Sequence, residues 1–158
     1  MDHEKKALYV AKRTSDLDLD DVAESWSAVR NDANATAWVS LTVNAAKKVE
    51  IAATGAAGLD SLCSSFAETD IYFGGVRVVL GATGAVKFYH FFVVGSEVGG
   101  MKKGKASLWK NSIHGAMDGA HGSIEISSEV SREERVAEMR RQIAALCGGG
   151  GVAWSVGA

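Results

Sequence analysis

The 158-residue chain contains no proline and only two cysteines, Cys63 and Cys147. Without proline, tight turns fall to Gly, Asn and Asp, which tolerate positive φ or cap the backbone with their side chains. The 18 glycines fill that role. The cysteines lie far apart with neither CxxC nor Cys/His spacing, so a disulfide framework and a zinc site have no support and two reduced, partly buried thiols are expected. No apolar run approaches the roughly 20 residues that cross a bilayer. The start, Met1-Asp-His-Glu-Lys-Lys6, lacks the apolar core of a signal peptide, so no membrane span and a location in the cytoplasm are expected. Catalytic motifs are missing as well. There is no G-x-S-x-G elbow, and Gly81-Ala-Thr-Gly84 lacks both the Lys-Ser/Thr ending and the following helix of a phosphate loop, so it reads as a hairpin turn. His114 and His121 stand seven apart with no further ligand at suitable spacing. No metal, no cofactor and no enzymatic activity are expected.

What is present fits one globular domain of ordinary composition, with 47% hydrophobic and 23% charged residues. The net charge of -2 conceals an uneven distribution. Residues 1 to 32 carry eight acids against five bases, while residues 87 to 114 carry five lysines against one acid. The second stretch predicts a local basic surface, too small for a nucleic-acid-binding domain.

Residues 1 to 15 show mixed charge and a weak apolar pattern, and predict a flexible N-terminal extension. Behind the acids of residues 16 to 21, Val22, Trp26 and Val29 recur at i, i+4 and i+7 and predict an amphipathic helix ending near Asn31. Two alternating stretches, 37 to 43 and 49 to 53, flank a turn at Asn44 and predict an antiparallel hairpin. A short helix is expected over 58 to 68. The apolar runs 71 to 80 and 88 to 94 predict central strands buried on both faces. A long helix over about 100 to 120, a strand over 123 to 128 and a last helix behind the capping box Ser131-Arg-Glu-Glu134 complete the domain. Its apolar positions are Val136, Met139, Ile143 and Leu146. The glycine run from Gly148 predicts a disordered tail over 148 to 158. The fold class is therefore α/β (α+β), a central mixed five-stranded sheet sandwiched by helices over residues 16 to 147.

Several stretches resemble the actin-depolymerising-factor homology family, whose architecture is gelsolin-like, and within it the coactosin-like proteins. They are Ala28-Val-Arg-Asn-Asp32 leading to Trp38-Val39, Tyr72-Phe-Gly-Gly-Val-Arg77, and Lys87-Phe88 followed by apolar residues. The most specific is Gly95-Ser-Glu-Val-Gly-Gly-Met-Lys-Lys-Gly-Lys105, which resembles the loop and basic start of the family's long helix. The resemblance covers roughly residues 16 to 147. Three departures stand out: the N-terminal extension, the glycine-rich tail, and Val93 where relatives often carry tryptophan. Cofilin-type proteins use a short free N-terminus to engage actin monomers and sever filaments, and the extension here speaks against that activity. The resemblance implies a monomer of the cytoskeleton that binds filamentous actin, competes with cofilin for the filament side and catalyses nothing. The alternative is a small α/β nucleotide-binding or enzymatic domain using the turn at residues 81 to 84.

The resemblance also implies that Lys87 is central to filament binding, and its motif adds Met101, Lys102 and Lys105 at the start of the long helix. At about 100° per residue, Trp109, Ile113, Ala116, Met117 and Ala120 share one face, expected to pack. Lys103, Ser107, Lys110 and His114 share another, expected to meet solvent or actin's acidic surface. An isolated basic stripe is more often merely solvated. The expected binding residues are thus Lys87, Met101, Lys102, Lys103, Lys105, Lys110 and His114.

Overall fold

The computed structural model describes residues 17–56, 58–149 and 151–157. Residues 1 to 15, expected as a flexible extension, lie outside them. The first helix, α1 (Val22–Arg30), buries Val22, Trp26 and Val29 as their spacing predicts, and carries Glu24 in its first turn and Arg30 in its last, each favoured by the helix dipole. Strands β1 (Trp38–Val43) and β2 (Val49–Gly55) form the expected antiparallel hairpin. Its turn is held by Asn44, whose side-chain oxygen accepts from the backbone N–H groups of Ala46 at 2.9 Å and Lys48 at 3.0 Å. Helix α2 (Leu59–Ser64) is shorter than expected and leads into β3 (Ile71–Leu80), which pairs antiparallel with β4 (Val86–Val94).

Helix α3 (Gly100–Gly115) then crosses over the sheet to β5 (Ser123–Ile126), which lies parallel to β4. Parallel pairing requires such a crossover, because a tight turn cannot return the chain to the same end. A 3-10 turn, Arg132–Glu134, precedes α4 (Arg135–Leu146). The capping box is altered here: the Ser131 hydroxyl donates to the Glu134 carboxylate at 2.8 Å and makes no cap bond to the backbone. The strand order is β2-β1-β3-β4-β5.

Both faces of the sheet are covered. Trp26, Val39, Phe73, Phe88, Phe92 and Ile113 pack together beneath α1 and α3. On the other face, Leu62, Phe66, Tyr89, Phe91, Met139 and Ile143 pack beneath α2 and α4. Successive residues of β4 alternate between these cores, which is why its sequence reads as a continuous apolar run. Two glycines of β3 make the aromatic packing close. A Cβ at Gly74 would stand 2.5 Å from the Phe91 ring, and one at Gly75 would stand 2.2 Å from the Trp26 ring on the opposite face.

Two expectations need correction. The long helix ends at Gly115, not near Ala120, because Gly119 turns the chain at φ +86°. The Trp26 indole N–H then fastens this turn by donating to the Asp118 carbonyl at 2.7 Å. The tail is also placed. Its residues Trp154–Val156 form β6, which pairs antiparallel with Val78, Val79 and Leu80 of β3. It occupies the stretch of β3's edge that β1 leaves open, since β1 pairs only as far as Val76. The sheet accordingly has six strands where five were expected.

Candidate functional site

Helix α3 lies over the sheet on Ala106 and Ile113, with Met117 just past its end, all buried. This is largely the side expected: Ile113 and Met117 are buried, Trp109 and Ala116 pack against the same core, and Ala106 is added to them. Trp109 and Ala116 fall on one flank, half-buried, while Lys103, Lys110 and His114 fall on the other and lean over the β5 side of the sheet. The side farthest from the sheet carries Met101, Gly104, Lys105 and Leu108. Met101 is 80% exposed and Leu108 76%. Large apolar side chains so exposed at i and i+7 form an apolar line along the helix, with Lys105 between them. Lys105 has no ion-pair partner among the described residues. Leu108 is the exposed member of this line that sequence reasoning passed over, although its spacing from Met101 and Lys105 was readable.

The other basic side chains answer to their own fold. Lys102 reaches the Asp70 carboxylate at 2.9 Å and the Thr69 carbonyl at 3.0 Å. Lys103 donates to the Ser128 hydroxyl at 2.6 Å. Lys110 pairs with Glu125 at 3.3 Å, and its ammonium stands 5.3 Å from the centre of the Phe92 ring. These three line the β5 flank or brace the helix start, and exposed pairs of this kind are individually weak.

His114 is a correction. Its Nε2 sits 3.0 Å from the Phe91 carbonyl, and its ring stacks on His90 at 4.4 Å between centroids. Burial, then the neighbouring His90, pushes the His114 imidazole down to about 4, so it is neutral at physiological pH and supplies no charge to a partner. His90, half-buried beside it and bonded through Nε2 to the Met117 carbonyl at 2.7 Å, is lowered for the same first reason.

Lys87 stands apart from this helix. It opposes Val78 at the hairpin end of β4 and shares the alternation of Tyr89, Phe91 and Val93, which face α2 and α4. It is therefore on the face opposite α3. It is also seven residues, roughly 23 Å of extended strand, from Val94 at the end that leads to α3. The fold thus gathers Met101, Lys105 and Leu108 on one line and sets Lys87 at the far end of the sheet.

Residues 81 to 84 form the turn joining β3 to β4, with the Gly84 N–H donating to the Leu80 carbonyl at 2.8 Å, and no helix follows to receive a phosphate. Among the described residues, no group of three or more His, Cys, Asp or Glu side chains is placed to hold a metal ion. Burial pushes the Cys63 thiol up to about 11, away from reactivity. No helix among the described residues is long and apolar enough to cross a membrane.

Residues 16–140 match the family model described as "Cofilin/tropomyosin-type actin-binding protein". Comparison with curated proteins by sequence gives no match. Among solved structures, coactosin of Entamoeba histolytica aligns with a TM-score of 0.66 at 22% identity, covering 80% of this chain and 96% of that one. Human coactosin-like protein aligns with a TM-score of 0.67 at 19% identity, covering 81% and 98%. Mouse coactosin, described as an actin filament binding protein, aligns with a TM-score of 0.58 at 18% identity, covering 79% and 91%. At these identities the likenesses show a shared fold.

Proposed function

The chain belongs to the cofilin/tropomyosin-type actin-binding protein family, and from that premise we propose that it binds the side of actin filaments in the manner of coactosin, as a ligand of the filament and not an enzyme. The observation that carries this reading is the line Met101, Lys105 and Leu108 on the outer side of α3, where two apolar side chains at 80% and 76% exposure flank a lysine. An interface core of apolar side chains with a charged neighbour gives affinity through desolvation and register through charge. Actin's acidic surface complements Lys105 and the helix start, with Lys102 and Lys103 behind it.

Lys87 forms a second, separate contact at the hairpin end of the sheet. A filament supplies two neighbouring subunits, so two contacts on one small domain favour the filament over the monomer through effective concentration. Competition with cofilin follows if both use the same filament side. The protein acts as a monomer in the cytoplasm, associated with the cytoskeleton.

Co-sedimentation with filamentous actin tests the reading. Saturable binding with one molecule per actin subunit is expected, and Lys87→Ala should weaken it while leaving the fold intact. A wild-type chain that stays in the supernatant at tens of micromolar actin, on the order of a very weak specific complex, would contradict the proposal.

A further inference from the structure

The short segment between α2 and β3, residues 67 to 70, fastens three elements at once. The Glu68 carboxylate receives both terminal nitrogens of Arg135, Nη1 to Oε2 at 3.0 Å and Nη2 to Oε1 at 2.8 Å. Arg135 opens α4 and is fully buried. The same Oε1 accepts from the Ser96 hydroxyl at 2.8 Å and from the Ser96 backbone N–H at 3.3 Å, while the Glu68 carbonyl accepts from the Glu97 N–H at 2.8 Å. Gly95 has no room for a side chain, because a Cβ there would stand 2.3 Å from the Glu68 carbonyl oxygen. The bonds of Lys102 to Asp70 and Thr69 add the first turn of α3 to the same segment. The entrance to α3 is therefore tied, through Glu68, to a guanidinium on the opposite side of the sheet.

This pair is a poor choice for stability alone. Arg135 loses its hydration on full burial and Glu68 loses part of its own, and hydrophobic residues of similar volume often stabilise a fold equally well or better. The Arg135 Nε is buried with no partner among the described residues, which adds a desolvation penalty. What a guanidinium fork on a carboxylate supplies is direction, since its two parallel bonds allow one geometry. The arginine partner, together with the Ser96 bonds, holds the Glu68 carboxyl down at about 2, so the latch is ionised throughout the physiological range.

We propose that Glu68 and Arg135 are positioning residues that set the direction in which α3 leaves β4 and so present Met101 and Leu108 to the partner, an inference that rests on the filament-binding reading above. Neither residue touches the partner. The test compares three full-length variants, Arg135→Met, Ser96→Ala and Ser96→Thr, by amide hydrogen exchange and by filament co-sedimentation. Arg135→Met removes the fork but keeps an apolar stem. Ser96→Ala removes the hydroxyl bond from the loop to Glu68 and leaves the backbone bonds and the buried arginine in place, and so reports even if the first variant does not fold.

Both are expected to speed exchange of amides 96 to 103 by about tenfold while β3 and β4 keep wild-type protection. Both should raise the filament Kd by roughly fivefold through lost preorganisation, and Ser96→Thr, which keeps the hydroxyl, should restore both readouts. Unchanged exchange in both variants would overturn the proposal, as would faster exchange with an unaltered filament Kd. If the wild-type chain itself fails to bind filaments, the filament reading is what fails. Exchange then decides the latch alone: loosening confined to 96 to 103 upholds it, and loosening spread through the sheet overturns it.

Discussion

Two sides of α3 differ in how far the fold itself answers their side chains. The β5 flank holds more charge, yet Lys103 is bonded to Ser128, Lys110 is paired with Glu125, and His114 is stacked inward on His90. The outer line holds one lysine and two apolar side chains, and Met101 and Leu108 stay largely exposed. Charge on a helix marks a partner surface only where the fold leaves that charge unanswered. Exposed apolar side chains beside it are the stronger sign, because they gain from being covered.

The largest effect that separates the two sides of the helix comes from its packed side. Ile113→Ala, at a fully buried position, should destabilise the fold by about 2 to 5 kcal/mol. Urea unfolding measures this, and filament affinity per folded molecule should stay unchanged. A loss of affinity without a loss of stability would put Ile113 in the contact surface and erase the distinction.

A smaller effect tests the inward placement of His114. Its folded imidazole titrates at about 4 against 6.5 for the free group, so the unfolded chain takes up the proton first as pH falls. The stability associated with neutral His114 is fully present above pH 6.5 and is lost as pH drops from there toward 4. Between pH 7 and 5.5 this amounts to about 1 kcal/mol, read as a falling urea midpoint that His114→Phe makes shallower, His90 being lowered in the same direction and keeping a share of the slope. Glu68, held down at about 2, contributes its own loss only below about 4.5. A wild-type midpoint that is level from pH 7 to 5.5 would mean that His114 is solvated.

The smallest effects belong to the basic flank. Lys103→Ala and Lys110→Ala should each cost no more than about 1 kcal/mol in stability or binding, as partly exposed charges do. Reversal to Glu should cost more than neutralisation, since it adds repulsion from actin's acids. Raising ionic strength from about 0.05 to about 0.15 M should shrink the difference as the screening length shortens to roughly 8 Å. Abolished binding in the single Ala variants would transfer the site to this flank.

Much of the architecture was legible because local pattern and final burial agree. The spacing of Val22, Trp26 and Val29 dictates the buried side of α1, and Asn44 makes its turn with its own side chain. The unbroken apolar run of β4 announces a strand covered on both faces. The failures all involve partners distant in sequence. The limit of α3 is fixed by Gly119 and by Trp26 reaching Asp118 across 92 positions. The three residues of β6 are too short a run behind a glycine stretch to predict a strand, and they pair because β1 leaves part of β3's edge unfilled. The packed side of α3 follows its helical spacing, with Ile113 buried and Trp109 packed half-buried against the same core, and the small Ala106 joins them. The bond between Glu68 and Arg135 spans 67 positions, and no local pattern signals it.

Filament co-sedimentation of Leu108→Asp beside Lys110→Ala tests the central claim most directly, because the two residues lie two positions apart on different sides of one helix. Neither change removes a fully buried side chain, so both variants should keep wild-type thermal stability within about 0.5 kcal/mol. The account predicts that Leu108→Asp raises the filament Kd by about tenfold or more, as loss of an interface anchor does, while Lys110→Ala changes it by less than about fivefold. Wild-type binding by Leu108→Asp, with binding lost in Lys110→Ala, would contradict it.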